Sequence, residues 1–304
     1  MREICTSGLT RGGAVAVIDL WSLIPCPPPT LPSILPEGKF GLVKLFQKDG
    51  HTVGMCGDGA NDAPALRQAQ IGIAVSTATD VAKSAAGVVL TKPGLGGIVA
   101  AVKEGRITFQ RILTYTLNSV IKKMALVLVL AIGLIMTGHA ILTPMLMVIV
   151  LITGDFLVMS LATDRVRSSE KPNAWQVGRI TCAGVILGGC FLVFCTAVLA
   201  VGKFEVGLGV EALRTLSVVA IVYAGQSTLY AIRGRRHVWG LRPTVWVVLS
   251  SVADVMIIST LAIRGIAMVP LPFSVIAGEF GAAVVFGLIL VGVKLPVFAR
   301  LEIV

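Results

Sequence analysis

The sequence predicts a small α/β unit followed by a bundle of six membrane-spanning helices. A mean hydropathy of +0.89 and an apolar content of 55% exceed those of ordinary soluble folds. The apolar residues are also unevenly placed. Residues 1–106 mix charged and apolar segments, whereas most of 112–304 consists of long apolar runs broken by short polar ones. In the first region short apolar strands alternate with helical stretches, the pattern of a parallel sheet covered by helices.

In "GKFGLVKLFQKDG", Phe40, Leu42, Val43, Leu45 and Phe46 predict a helical stripe that ends at Gly50. A short strand "TVGMC" follows, then a Gly-Asp-Gly turn, a short helix near "DAPALRQA", a strand "IGIAV", a helix near "TATDVAKSAA" and a strand "GVVLT". From "GGIVAAVKEGRITFQRILTY" a helical pattern runs without a breaker into the first span, so movement of the α/β unit is expected to reach the membrane through one helix. Residues 13–36 fit this plan poorly. Pro25, Pro27, Pro28, Pro29, Pro32 and Pro36 exclude helix or central strand across 25–36, and an irregular, extended segment is expected there. The chain thus divides into a cytosolic unit over 1–106 and a stalk helix with six membrane helices over 107–304.

A spanning helix needs about 20 mostly apolar residues. Six segments qualify, at roughly 118–137, 141–162, 180–201, 215–232, 244–263 and 272–293. Arg165, Arg167, Lys171 and Arg179 crowd one loop, and Arg233, Arg235, Arg236 and Arg242 another, while Lys203 and Arg214 on the opposite side are balanced by Glu205 and Glu211. The positive-inside rule therefore places residues 1–106, both basic loops and the C-terminus in the cytosol. Membrane topology accounts for the net charge of +10, and no nucleic-acid partner is expected. The start "MREICTSGLTRGG" shows no signal-peptide pattern. Six cysteines without C-x-x-C spacing, three of them inside one apolar run, lead us to expect neither disulfides nor a metal cluster.

The most informative stretch is "GDGANDAPAL", residues 57–66. Asp58 follows a strand at its C-terminal end, where open α/β sheets place their ligands. Gly57 and Gly59 suit a tight turn that approaches a ligand, and Asn61 supplies donor and acceptor groups. Asp58 and Asp62, four residues apart, are able to face one place if the turn leads into a helix. Two carboxylates beside a phosphate site suit Mg2+. An Asp/Gly/Asn turn with a helix cap uses the same residue types, but the length of this string favours the functional reading.

"GDGANDAPAL" resembles the hinge motif of P-type ATPases, cation pumps whose phosphorylation domain has a haloacid-dehalogenase-like fold. The resemblance extends through "LPEGKFGLVKLFQ", "IGIAVSTATDVAKSAAGVVLTKPGLGGIVAAVKEGR" and "GDFLVMSLATDRV", the last similar to the proton-exporting, plasma-membrane branch. It implies that Asp58 is a Mg2+ ligand, that Asn61 and Asp62 support the phosphate site, with Asp62 a further candidate ligand, and that Lys39 contacts the phosphoryl group. It also implies ATP as substrate of the intact pump, a transported cation, expected to be H+, and a bilayer setting in the cell membrane. Mg2+ or Ca2+ as cargo is the alternative. The family's nucleophile lies in a D-K-T-G-T string, and neither that string nor a cytosolic T-G-E occurs here. This chain is therefore expected to be the C-terminal portion of a pump, inactive alone, from a truncated or frameshifted gene. Alternatively it is a non-catalytic membrane subunit completing a separately encoded N-terminal half. A membrane-tethered phosphatase ranks last, because residues 1–50 hold no D-x-D strand.

Ionisable residues at membrane depth are functional candidates. Asp155 lies about 12 Å from the cytosolic end of its span at 1.5 Å per residue, and Lys122 and Lys123 sit near the same depth, so a Lys–Asp pair is expected. The resemblance makes Asp155 the transport carboxylate. Snorkelling to the interface is the competing reading of the two lysines. The first-span arginine of the eukaryotic proton pumps aligns near Ala125, two or three residues after Lys122 and Lys123, which leaves the ion open. Asp254 and Glu279 are expected to be packing or interfacial charges, and Cys182, Cys190 and Cys195 apolar filler.

Overall fold

The computed structural model describes residues 15–16, 36–93, 96–167, 175–234 and 242–301. These residues form two compact units that divide between Arg106 and Ile107.

The first unit holds β1 (Val15–Ala16), α1 (Pro36–Lys48), β2 (Gly54–Gly57), a 3-10 turn (Ala60–Asp62), α2 (Ala63–Gln68), β3 (Ile71–Ala74), α3 (Asp80–Ala85) and β4 (Val88–Val89). Strands β2, β3 and β4 pair in parallel, Gly54 opposite Ile71 and Ile73 opposite Val88. The expected parallel sheet gains an antiparallel edge, because β1 pairs Val15 with Met55. That strand lies in the segment expected to be irregular; residues 17–35 fall outside the described residues. Pro36 opens α1, the first helical position, where its missing N–H costs nothing.

The α1 stripe differs from the expected one. Lys39 and Val43 are buried and Phe46 is half-buried, an i, i+4, i+7 row, while Leu45 is 56% exposed. Residues 42, 43, 45 and 46 span too wide an arc for one face. Two small cores sandwich the sheet. Val43, Val53, Met55, Leu66 and Ala82 fill one, and Cys56, Ile73, Leu90 and Ile98 the other. Gly72 is required between α2 and β3, since a Cβ there would lie 2.4 Å from the Leu66 carbonyl oxygen.

The second unit takes most of α4 (Gly96–Thr137) and then α5 (Pro144–Ser160), α6 (Val177–Ala200, continued as a π-turn over Val201–Glu205), α7 (Val210–Arg233), α8 (Val245–Arg264) and α9 (Phe273–Arg300). All six are long and apolar enough to cross a bilayer. The least apolar, α7, is 89% buried over its span window and packs against α5, α6, α8 and α9. Its polar side chains face protein rather than lipid, which is why a span of mean hydropathy 1.4 is stable at the centre. Ser217 donates to the Leu213 carbonyl, Thr215 to Val269 and Ser227 to Ala283. Small residues bring α4 against α6: a Cβ at Gly184 would lie 2.6 Å from Val120 Cγ1.

Buried charges close the helix ends. Lys294 of α9, fully buried, donates to the Ala231 and Gly234 carbonyls at 2.8 and 2.5 Å and so caps α7. Asp164, after α5, pairs with Arg233 of α7 and accepts from the Thr244 N–H at 3.3 Å ahead of α8. The Arg111 guanidinium of α4 donates to the Asp164 carbonyl at 3.0 Å.

Candidate functional site

In the α/β unit the site is built where β2 ends. Gly57 closes the strand, Asp58 follows it, and Gly59 precedes the 3-10 turn that leads into α2. Asp62 turns back under this loop and is 1% exposed. Its Oδ2 accepts the Asp58 and Gly59 N–H groups at 3.2 and 3.3 Å, and its Oδ1 accepts the Lys39 ammonium of α1 at 2.6 Å. The loop therefore rests on a buried charge that α1 neutralises. Asp58 itself is exposed, and its carbonyl accepts the Thr79 N–H at 2.8 Å, fixing the start of α3 beside the loop.

Of the predicted residues, Lys39, Gly57, Asp58, Gly59, Asn61 and Asp62 are brought together, but the two carboxylates do not face one place. Asp58 and Asn61 point to solvent, whereas Asp62 points inward. The glycines also differ in role. Gly57 is needed for close approach, since a Cβ there would lie 2.6 Å from Asp62 Cβ. Gly59 has room, its nearest neighbours being 3.9 Å away. Gly59 has φ −103°, so left-handed backbone is not what selects it. Burial raises the Cys56 thiol above its ordinary pKa, and the negative charges of Asp58 and Asp62 add to this. An exposed carboxylate at a strand end, with a buried Lys–Asp pair behind it, fits Mg2+, which takes one or two carboxylates with water and phosphate.

In the helical unit no ion pair joins Asp155 to Lys122 or Lys123 among the described residues. Asp155 is exposed on α5, and it makes no hydrogen bond or ion-pair contact among the described residues. Lys122 has two carboxylates in electrostatic range, Asp254 first and Asp155 second. Its ammonium lies against α7 at Gly225, where an added Cβ would sit 3.2 Å from Nζ. Lys123 is exposed. Asp254 of α8, expected to be a packing or interfacial charge, is 5% exposed and accepts Gln226 Nε2 of α7 at 2.5 Å, with Thr153 of α5 bordering it. One turn before Lys122, Asn118 is fully buried and neither amide atom has a hydrogen-bond partner among the described residues. Sequence reasoning missed the Gln226–Asp254 contact, because the two lie on different helices whose packing order hydropathy does not reveal. The available signal was a mid-span aspartate in α8.

Fold and site together define a haloacid-dehalogenase-like unit followed by six candidate membrane-spanning helices. Residues 41–102 match the family model described as haloacid dehalogenase-like hydrolase. The chain is 31% identical over 271 residues to a protein of Methanocaldococcus jannaschii named as a cation-transporting ATPase, an alignment covering 89% of this chain and 34% of that protein. The chain thus spans about a third of the length of this relative. These similarities support a P-type-ATPase-like protein.

Proposed function

We propose that this chain is the C-terminal part of an ATP-driven cation pump of the P-type. In this reading Asp58 holds Mg2+ beside the phosphoryl group, and Asp62, with both oxygens engaged, supports the loop and aims Lys39. Asn61 contacts phosphate from the rim. Phosphoryl transfer puts charge on oxygens, and a lysine with a carboxylate-held Mg2+ neutralises it. The observation that carries the reading is the Lys39–Asp62 pair at 2.6 Å beneath an exposed Asp58, in a chain that also buries Asp254 and half-buries Lys122 among spanning helices.

The transported ion is a proton and the membrane is the cell membrane. Asn118, Thr153 and Gln226 offer too few oxygens for a Ca2+ cage, which needs six to eight, whereas Asp155, with Lys122 in electrostatic range, suits binding and release of a proton. The stalk around 95–120 is the element that tilts during the cycle. Alone, the chain forms no phosphoenzyme.

The test joins this chain to an N-terminal segment bearing the D-K-T-G-T aspartate. With Mg2+ and ATP the joined protein is expected to give an acid-stable phosphoprotein and the chain alone none, and in vesicles Asp155→Asn is expected to abolish proton movement. Phosphoprotein from the chain alone would falsify the reading.

One observation favours a partner for the helical unit, in the same chain or in a separate one. Asp155 is exposed among Leu151, Ile152, Phe156 and Met159, and a carboxylate on a lipid-facing surface is costly. Further helices are needed to cover that face. Co-purification of a D-K-T-G-T-bearing polypeptide distinguishes a separate subunit from a continuous chain.

A further inference from the structure

Glu279 sits six residues into α9, about 9 Å along the helix at 1.5 Å per residue. It is 5% exposed, and neither carboxylate oxygen has a hydrogen-bond partner among the described residues. Such a group is rare, because a buried polar atom without a partner is destabilising and a bare charge at membrane depth far more so. The surrounding packing offers no relief. Ile276 and Ala283 flank it along α9, α6 presents Cys195, and α7 presents Tyr223, whose ring meets Phe280 edge-on at 5.6 Å. The Tyr223 hydroxyl is already engaged with Ser259 of α8 at 2.7 Å. Cys195 and Tyr223 are the titratable groups that face Glu279, and no cationic side chain balances it among the described residues.

Charge balance then demands a positive companion, either a proton on the carboxyl or a metal ion beside it. A metal ion needs several oxygens, and this site supplies one carboxylate amid a thiol, a committed phenol and hydrocarbon. We propose that Glu279 is a membrane-embedded proton-binding site in the α6–α7–α9 packing, separate from Lys122, Asp155 and Asp254. The site does not depend on the pump reading, since it follows from the burial of one carboxyl.

Two measurements on the whole chain in lipid nanodiscs test it. In infrared spectra the carbonyl stretch of a protonated carboxyl is expected near neutral pH, to be missing from Glu279→Gln, and to be unchanged by sodium or potassium. A hydrophobic carbodiimide provides the second test and needs no variant. The carboxyl proton passes to a carbodiimide nitrogen, the carboxyl oxygen bonds the central carbon, and acyl migration leaves a stable N-acylurea with no atom lost. Mass spectrometry is expected to find this adduct on Glu279, decreasing at least about fivefold from mildly acidic to strongly alkaline pH as the proton leaves. Absence of both the band and the adduct overturns the proposal. Loss of either on adding an alkali cation overturns it too, by assigning the site to a metal ion.

Discussion

Gly57 lacks a side chain because Asp62 occupies the space one would fill, with Cβ to Cβ at 2.6 Å. Gly57→Ala is therefore expected to push Asp62 off the loop N–H groups and loosen its pair with Lys39. Lys39→Met should be worse, since it leaves a buried carboxylate unpaired at about 3–5 kcal/mol. Cys56, 4% exposed and adjacent to Gly57, reports both changes. Its raised pKa favours the neutral thiol, so the stabilisation is fully present below the ordinary thiol pKa of about 8.5 and is lost as pH rises through the folded value. At mildly alkaline pH native Cys56 should alkylate far more slowly than an unfolded control. Gly57→Ala and Lys39→Met should accelerate it, and equal rates in all three proteins would refute this account. The string at 57–66 was legible as a site because strand end, glycine and carboxylates follow in order. The inward turn of Asp62 was not, since it depends on a lysine 23 residues earlier on another helix.

At the scale of elements, α7 shows why hydropathy finds spans but not their partners. Its mean hydropathy of 1.4 is the lowest of the six, yet it is the most buried, and Thr215, Gln226 and Ser227 find hydrogen-bond partners outside the helix. Sequence alone read six candidate spans and took Glu279 as a packing or interfacial charge, but gave no role to Lys294, one residue past its sixth span. The structure separates them: Lys294 caps the last carbonyls of α7, while Glu279 has no hydrogen-bond partner among the described residues. Lys294→Met should thus lower stability by about 1.5–3 kcal/mol, the worth of charged hydrogen bonds lost from buried carbonyls. Thermal denaturation in detergent checks this, with Lys294→Arg expected to fall between the two. A midpoint unchanged in Lys294→Met would show that water caps α7 equally well.

For the whole molecule, sidedness is decided by charge rather than packing. Six spans return the chain to the side on which it entered, so the α/β unit, the loop after α5, the loop after α7 and the C-terminus share one side. The loops after α5 and α7 carry the arginine excess, whereas the loop joining α4 and α5 has none. The positive-inside rule then puts the arginine-rich side in the cytosol. In a cysteine-free background, Arg165→Cys is expected to react with a membrane-impermeant maleimide from the cytosolic face of vesicles, and His139→Cys from the opposite face. Both positions are exposed, so burial does not mask the result. Labelling of both from one face would mean that α5 does not span. Reversal of both would place the proposed phosphate-binding loop at Asp58 away from cytosolic ATP, and the pump reading would fall with it.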